Sequence, residues 1–571
     1  MLRNGLHILA MIGLTANAQT SAVRHEVLIT ELMADPSPAV GLPAGEFIEV
    51  TNVSARTIDL KGWRVTDGNS AAVVPQSLNL SPGSRVILCS RGYVGEFSSH
   101  GTSVGFSGFP SLDNDGDLIV LQSPEGRTIH AVAYNPSWYG NAVKASGGWS
   151  LEMIDEGSPC LGAENWTASR NPLGGSPGRP NSVEGTRRDS VPPRLLRTYA
   201  LDSMSLVAVF SESLDSASAG DRMRYEIDRQ MGRPFSVKPL APLFDEVAIR
   251  LAGPLNPKTV YMLSAQTMRD CAGNPMETKG EVRTGWPERP VEGQIRINEI
   301  LFDPVKDGSD YVEVLNLGPG IVDASRLFLG PSSAASQAQH LRKASEKPLL
   351  FFPGDHLVFT EDKASLLRQH SAADDRLIVE TGTLPSLPDD SGSLAVMDAA
   401  GRELDAFRYS ARMHHPLLYD RQGIALERVD PRSPTMDPSN WHSASTDAGY
   451  GSPTRRNTQY AVTDTVVGVI HVEPATISPD MDGRDDLLTV SYRFRENGYR
   501  LSMSVYDIFG RKVAMPVRNA LCGTEGRLRW NGMGEADTRL PSGPYYLVME
   551  ASYEKGRNRM WRRPVVVAYR R

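Results

Sequence analysis

Histidine is scarce in this 571-residue chain, at 11 residues, and cysteine is scarcer, at four. Neither a Gly-x-Ser-x-Gly elbow, a phosphate-binding glycine-rich loop nor a His-Glu-x-x-His helix occurs. The usual sequence marks of serine hydrolases, nucleotide-binding enzymes and zinc proteases are therefore missing. Lysine and arginine number 60 against 67 acidic residues, a net charge of −7. That balance argues against nucleic acid as the main partner, since a phosphate-tracking surface shows as a basic excess or stripe. The one basic concentration lies at the C-terminal end, in Arg557, Arg559, Arg562, Arg563, Arg570 and Arg571. No stretch approaches the roughly 20 apolar residues that a membrane-spanning helix needs. Helical periodicity is nearly absent, the best short candidate being Lys363 to His370.

What is present is strand patterning. Apolar residues alternate or come in short bursts, as in Val247, Ile249 and Leu251, Val86-Ile87-Leu88 and Leu357-Val358-Phe359. Turn signals such as Asp67-Gly68, Pro82-Gly83 and Pro353-Gly354 separate them, and 51 glycines with 40 prolines suit many short strands. Met1 to Ala18 reads as an export signal: Arg3, an apolar run from Leu6 to Leu14, and Ala16-Asn17-Ala18 as a small-x-small cleavage site. An exported chain permits disulfides. Cys89 and Cys160 fall within one module and are the expected pair if a bridge forms, the alternative being two buried thiols. Cys271 and Cys522 fall in different modules and are expected to stay unpaired.

The chain also repeats itself. Ile29-Thr30-Glu31-Leu32-Met33-Ala34-Asp35-Pro36 and Glu46-Phe47-Ile48-Glu49-Val50-Thr51-Asn52 return as Ile297-Asn298-Glu299-Ile300-Leu301-Phe302-Asp303-Pro304 and Asp310-Tyr311-Val312-Glu313-Val314-Leu315-Asn316. Asn165-Trp166 and Gly175-Ser176-Pro177 return as Asn440-Trp441 and Gly451-Ser452-Pro453, at a nearly constant offset. Repetition on this scale points to a modular chain rather than one large enzyme core. Pro/Gly-rich joints at Pro177-Gly178-Arg179-Pro180, Gly285-Trp286-Pro287 and Arg455-Arg456-Asn457 mark the seams. The expected fold is all-β, four immunoglobulin-like β-sandwiches in tandem at 24–183, 191–285, 294–457 and 470–571, after a signal peptide at 1–18.

The first module resembles the bacterial secreted form of the lamin tail domain. The resemblance rests on the opening motif, Ile58-Asp59-Leu60-Lys61-Gly62-Trp63, Asp115-Gly116-Asp117-Leu118, and the closing Asn165-Trp166 with Gly175-Ser176-Pro177-Gly178. The second copy departs where Arg326-Leu327-Phe328-Leu329 replaces the Leu-Lys-Gly-Trp stretch, so its packing there must differ. Between the copies, Val209-Phe210-Ser211-Glu212 and Asp270-Cys271-Ala272-Gly273-Asn274 resemble the immunoglobulin-like domain of bacterial surface-layer proteins. The last hundred residues, with Val505-Tyr506-Asp507-Ile508-Phe509-Gly510 and Leu540-Pro541-Ser542-Gly543, are similar to C-terminal domains of gliding-motility and type IX-secreted proteins of the Bacteroidetes, and to the flagellar hook-capping protein. That likeness implies a domain for export or surface attachment.

Candidate chemistry is thin. Asp480, Asp482, Asp485 and Asp486 set four hard oxygen donors around Gly483, which suits calcium, although a solvated turn with Asp side chains capping backbone N–H groups is the favoured reading, since the glutamate that closes a full calcium loop is absent. No other cofactor is expected. Glu31 with Glu49, and Glu299 with Glu313, have the composition of a glycosidase acid pair, but their duplication favours a structural role. His414-His415 lacks a third metal ligand nearby. Trp138-Tyr139 and Trp149 have faces on which a sugar could stack, with core packing as the alternative. The reading is a non-enzymatic, secreted or bacterial cell-surface scaffold. It would bind an extracellular protein or glycan through unshared loops at 91–109, 136–148 and 332–348. The alternative is an extracellular hydrolase-associated or carbohydrate-binding protein.

Overall fold

The computed structural model describes residues 21–332, 340–415, 418, 420–460, 469–480, 485–553 and 558–569. The expected signal segment at 1–18 and Asp482 lie outside them. The short β-branched and aromatic runs become strands that stack as sheets over apolar cores, so the chain is all-β and multidomain. It divides into two units, 1–253 with 262–283 and 254–261 with 284–571.

In the first unit, the opening module has a six-stranded sheet in the order Trp166–Ala168, Leu151–Met153, Val27–Met33, Phe47–Asn52, Arg85–Ser90, Ser103–Phe106, with the last pair parallel. A four-stranded sheet, Thr128–Tyr134, Asp117–Gln122, Arg64–Thr66 and Ala71–Val73, covers one of its faces. Leu28, Ile48, Val50, Leu88, Ile119, Leu121 and Trp63 fill the space between them. Each such side chain contributes roughly 1.5–3 kcal/mol by leaving water. The strand Val27–Met33 is buried on both faces. Its register against Phe47–Asn52 slips between Ile29 and Glu31, which makes Thr30 a bulge. Beyond the slip, Glu31 stands opposite Glu49 and Glu152 on the two flanking strands. The second module packs a four-stranded sheet of Leu195–Asp202, Ser205–Phe210, Glu246–Arg250 and Ser236–Leu240 with a three-stranded one of Tyr225–Ile227, Tyr261–Ala265 and Gly280–Thr284.

In the second unit the sheet order of the opening module recurs. Trp441–Ser443, Leu426–Arg428, Ile295–Leu301, Tyr311–Asn316, His356–Thr360 and Ile378–Glu380 form six strands, again ending in a parallel pair. The slip recurs at Asn298, and Glu299 stands opposite Glu313 and Glu427. Where Trp63 fills the first copy, Leu327 and Leu329 point inward and Phe407 stacks on Trp441 at 3.7 Å. The expected helix is present as Lys363–Gln369, its first turn held by the Asp362 carboxylate accepting the Ser365 N–H at 2.7 Å. The C-terminal module packs Val469–Glu473, Leu488–Arg493 and Glu525–Trp530 against a five-stranded sheet built on Tyr499–Tyr506 and Gly543–Tyr553.

Candidate functional site

The most conspicuous acids in the molecule are two buried glutamate triads. Glu31, Glu49 and Glu152 are wholly buried on the sheet face turned away from the first core. They are not empty-handed. Glu31 Oε1 accepts the Ser150 hydroxyl at 2.6 Å and the Ser176 N–H at 2.8 Å. Glu49 accepts the Gly178 N–H at 2.7 Å and the Thr30 hydroxyl at 2.9 Å. Glu152 accepts the hydroxyls of Ser176 and Ser182 at 2.6 and 2.7 Å and the Val183 N–H at 3.1 Å. Together they strap the closing segment 176–183 over the sheet. The second copy repeats the device: Glu299 takes the Ser452 N–H and hydroxyl, Glu313 the Thr454 N–H, and Glu427 the Ser452 and Thr458 hydroxyls with the Gln459 N–H. Asn181 and Asn457 complete each strap by donating to Thr30 and Met153 carbonyls, and to Asn298 and Arg428 carbonyls.

These contacts account for the acids without substrate. Both partners of each suspected glycosidase pair sit opposite one another in a sheet, shut from solvent and turned to the protein's own backbone. Burial, with repulsion from Glu49 and Glu152, holds the Glu31 carboxyl well above the usual carboxylate range. Burial likewise pushes Glu49 up to about 7. A carboxyl that keeps its proton better when folded gives stability that is full below the unfolded value near 4.5 and declines as pH rises through the folded value. The unit is therefore expected to lose up to about 3 kcal/mol between pH 5 and pH 8 from Glu49. Urea unfolding at the two pH values should show the slope, and Glu49→Gln should lessen it, leaving the share that Glu31 contributes. An unchanged slope in that variant would refute the assignment.

The other feature of the first unit is a cavity of about 440 Å³ where its two modules meet. Arg24 reaches across, donating to the Leu214 carbonyl at 3.2 Å and the Ser213 hydroxyl at 2.5 Å, with its guanidinium 4.1 Å over the Phe244 ring. His130 accepts the Ile29 N–H at Nδ1, 3.0 Å away, which requires a neutral ring. Burial lowers its proton affinity to about 3. His25, edge-on to His130, is lowered to about 4 by burial and by Arg24. Trp138 and Trp166 line one wall, and Asp189 and Glu212 line another.

The disulfide expectation is corrected here. Cys160 pairs with Cys271, their Cα atoms 5.9 Å apart, so the bridge joins the two modules beside the cavity. Cys89 cannot reach: it faces Met33, Phe47, Ile87 and Phe97 on the other side of the sheet, where burial pushes its thiol up to about 11. Cys160 is delivered by the turn that Asn165 pins, through its amide bonds to Asp155 and Ser158. Cys271 is delivered by the turn that Asp270 and Asn274 close. Cys522 is buried, its thiol donating to the Tyr499 carbonyl at 3.0 Å.

Among the other expected residues, Ser478 N donates to the Asp485 carbonyl and Ser478 Oγ donates to an Asp480 carboxylate oxygen at 3.0 Å. With Asp482 outside the described residues, the four aspartates are not seen as a set. His414 and His415 are buried and both meet the Ser443 hydroxyl, His414 through Nδ1 and His415 through its N–H. Among the described residues neither belongs to a three-ligand group. Trp149 carries Lys144 over its ring at 4.1 Å, and Tyr139 is buried in the core. Sequence reading missed the third member of each triad, Glu152 and Glu427. The available signal was their place one strand before the duplicated Asn-Trp pairs.

Comparison with known proteins gives one family match: residues 20–136 match the Lamin Tail Domain. No curated protein matches the chain. Among solved structures, the N-terminal part of the bacterial S-layer protein SbsC is 18% identical with a TM-score of 0.17, covering 29% of this chain and 40% of that one. Domains 1–6 of SbsC are 11% identical with a TM-score of 0.16, covering 67% and 55%. This chain thus spans about half the length of those proteins or less. Latent PorU from Porphyromonas gingivalis is 9% identical with a TM-score of 0.14, covering 71% and 35%.

Proposed function

We propose that the chain is a non-enzymatic, exported scaffold that works at the bacterial cell surface, holding β-sandwich modules in series and presenting their loops to an extracellular protein or glycan. The observation that carries this reading is the fate of the acids. Both duplicated glutamate sets are spent on fixing closing segments, and none faces a groove with a partner acid. The Cys160–Cys271 bridge supports an oxidising, extracytoplasmic location. On this reading residues 470–571 serve export or anchoring in the manner of type IX-secreted proteins of the Bacteroidetes. A second reading, a carbohydrate-binding protein, is favoured by Trp138 and Trp166 lining the 440 Å³ cavity.

Cell fractionation of the full chain and a form lacking 470–571 should leave only the full chain on the surface. Equal surface display of both forms would remove the anchoring role. The full chain on a glycan and polymer array separates the remaining readings: turnover of any polymer ends the scaffold proposal, and glycan binding lost in Trp138→Ala supports the second.

A further inference from the structure

We propose that Asp189, Glu212 and Asp270 form a calcium site at the meeting point of the first two modules. The proposal stands apart from the scaffold reading and holds whether or not that reading does. The three residues come from separate stretches: Asp189 from the run before the strand Leu195–Asp202, Glu212 from just past the strand Ser205–Phe210, and Asp270 from the turn that ends in Asn274. One carboxylate oxygen from each lies within 4.8 Å of the other two.

The donor set is all hard oxygen, which suits an alkaline-earth ion rather than zinc or copper. Three carboxylates from separate stretches, with waters completing the shell, suit the flexible six- to eight-fold coordination of calcium better than magnesium, which demands near-ideal octahedral geometry.

Asp189 supplies the independent sign of a ligand. It is 7% exposed. Its Oδ1 accepts the Val191 N–H at 3.1 Å, while its Oδ2 is buried with no hydrogen-bond partner. A buried acceptor left in that state is unfavourable, and a bound cation removes the penalty. Asp270 is oriented by Asn274, whose backbone N–H and side-chain amide bond its two oxygens at 2.8 and 2.7 Å. The Glu212 carboxyl also hydrogen-bonds the Asp270 side chain, a contact that a cation between them would replace. Among the described residues no basic side chain forms an ion pair with any of the three. Glu212 and Asp189 open onto the 440 Å³ cavity, which supplies an entry path and room for the water ligands that complete a six- to eight-fold shell. The ion would tie three segments together one residue from the Cys271 bridge.

The test is terbium titration of the chelator-stripped full chain, read by tryptophan-sensitised emission, since Trp138 and Trp166 line the same cavity. The expected result is one site displaced by Ca²⁺ with a Kd of roughly 10⁻⁴–10⁻³ M, in the range of extracellular modules, and at least about tenfold less readily by Mg²⁺. Asp189→Asn and Glu212→Gln should each weaken it at least about tenfold. Asp480→Asn should leave it unchanged. Because Glu212 is part-exposed, Glu212→Gln remains decisive if Asp189→Asn fails to fold. Binding that survives Glu212→Gln, binding lost only in Asp480→Asn, or no calcium-displaceable site would each overturn the proposal.

Discussion

Replacing Arg428 by alanine is expected to destabilise the second unit by about 3–5 kcal/mol, the usual effect of breaking a buried ion pair from one side. Arg428 is fully buried. Its guanidinium donates to the Ile297 carbonyl at 3.0 Å, to Asp405 Oδ2 at 3.2 Å and to the Ser433 carbonyl at 2.6 Å. Its loss takes a donor from the buried Ile297 carbonyl, leaves the part-buried Ser433 carbonyl only the 3.4 Å bond from Asn440, and leaves Asp405 to Arg296, the Thr435 hydroxyl and the Ile297 N–H. The opening module shows what compensation requires. Met153 pairs with Trp166 as Arg428 pairs with Trp441, and His130 accepts the Ile29 N–H as Asp405 accepts that of Ile297. The double variant Arg428→Met with Asp405→His should therefore recover at least half of the loss, measured as the midpoint of the second unit's calorimetric transition. If the double variant is no better than Arg428→Ala, the two copies do not share the exchange inferred here.

Removing the Cys160–Cys271 bridge, by Cys160→Ser with Cys271→Ser, should lower the stability of the first unit by about 2–4 kcal/mol. The two cysteines are 111 residues apart, and closing a loop of about that size restricts the unfolded chain by roughly 4.7 kcal/mol in the chain-entropy account. The smaller figure is expected because the reduced, unfolded chain retains structure that already limits its freedom. The second unit's transition should not move. Peptide mapping without reduction should recover a Cys160–Cys271 pair, with Cys89 and Cys522 alkylated only after unfolding. A Cys89–Cys160 peptide would contradict the structure.

The strands were largely legible because they depend on short-range pattern, whereas the straps join residues as far as 153 positions apart and only the structural role of their acids could be read. Glu31 and Glu49 stand on neighbouring strands in a motif that occurs twice, and duplication alone argued that such acids serve the fold. Glu152 and Glu427 escaped because Leu151-Glu152-Met153 and Leu426-Glu427-Arg428 read as ordinary alternation. Only the register against Glu31 and Glu299 shows that these strands have no solvent side. The bridge escaped for a different reason. Proximity within one module made Cys89 the natural partner of Cys160, whereas pairing is decided by which face a strand turns and where two modules meet. Asp189, Glu212 and Asp270 share the difficulty, since no local spacing relates them.

The straps also bear on how each module comes into being. Donors to each of its three carboxylates lie in its own last residues, 176–183 in one copy and 452–459 in the other. A chain emerging from its N-terminus, whether from a ribosome or through an export pore, can pair the early strands, but it cannot dry that face until its final segment arrives. Each module thus shuts only when the whole of it has emerged, a timing set by sequence order.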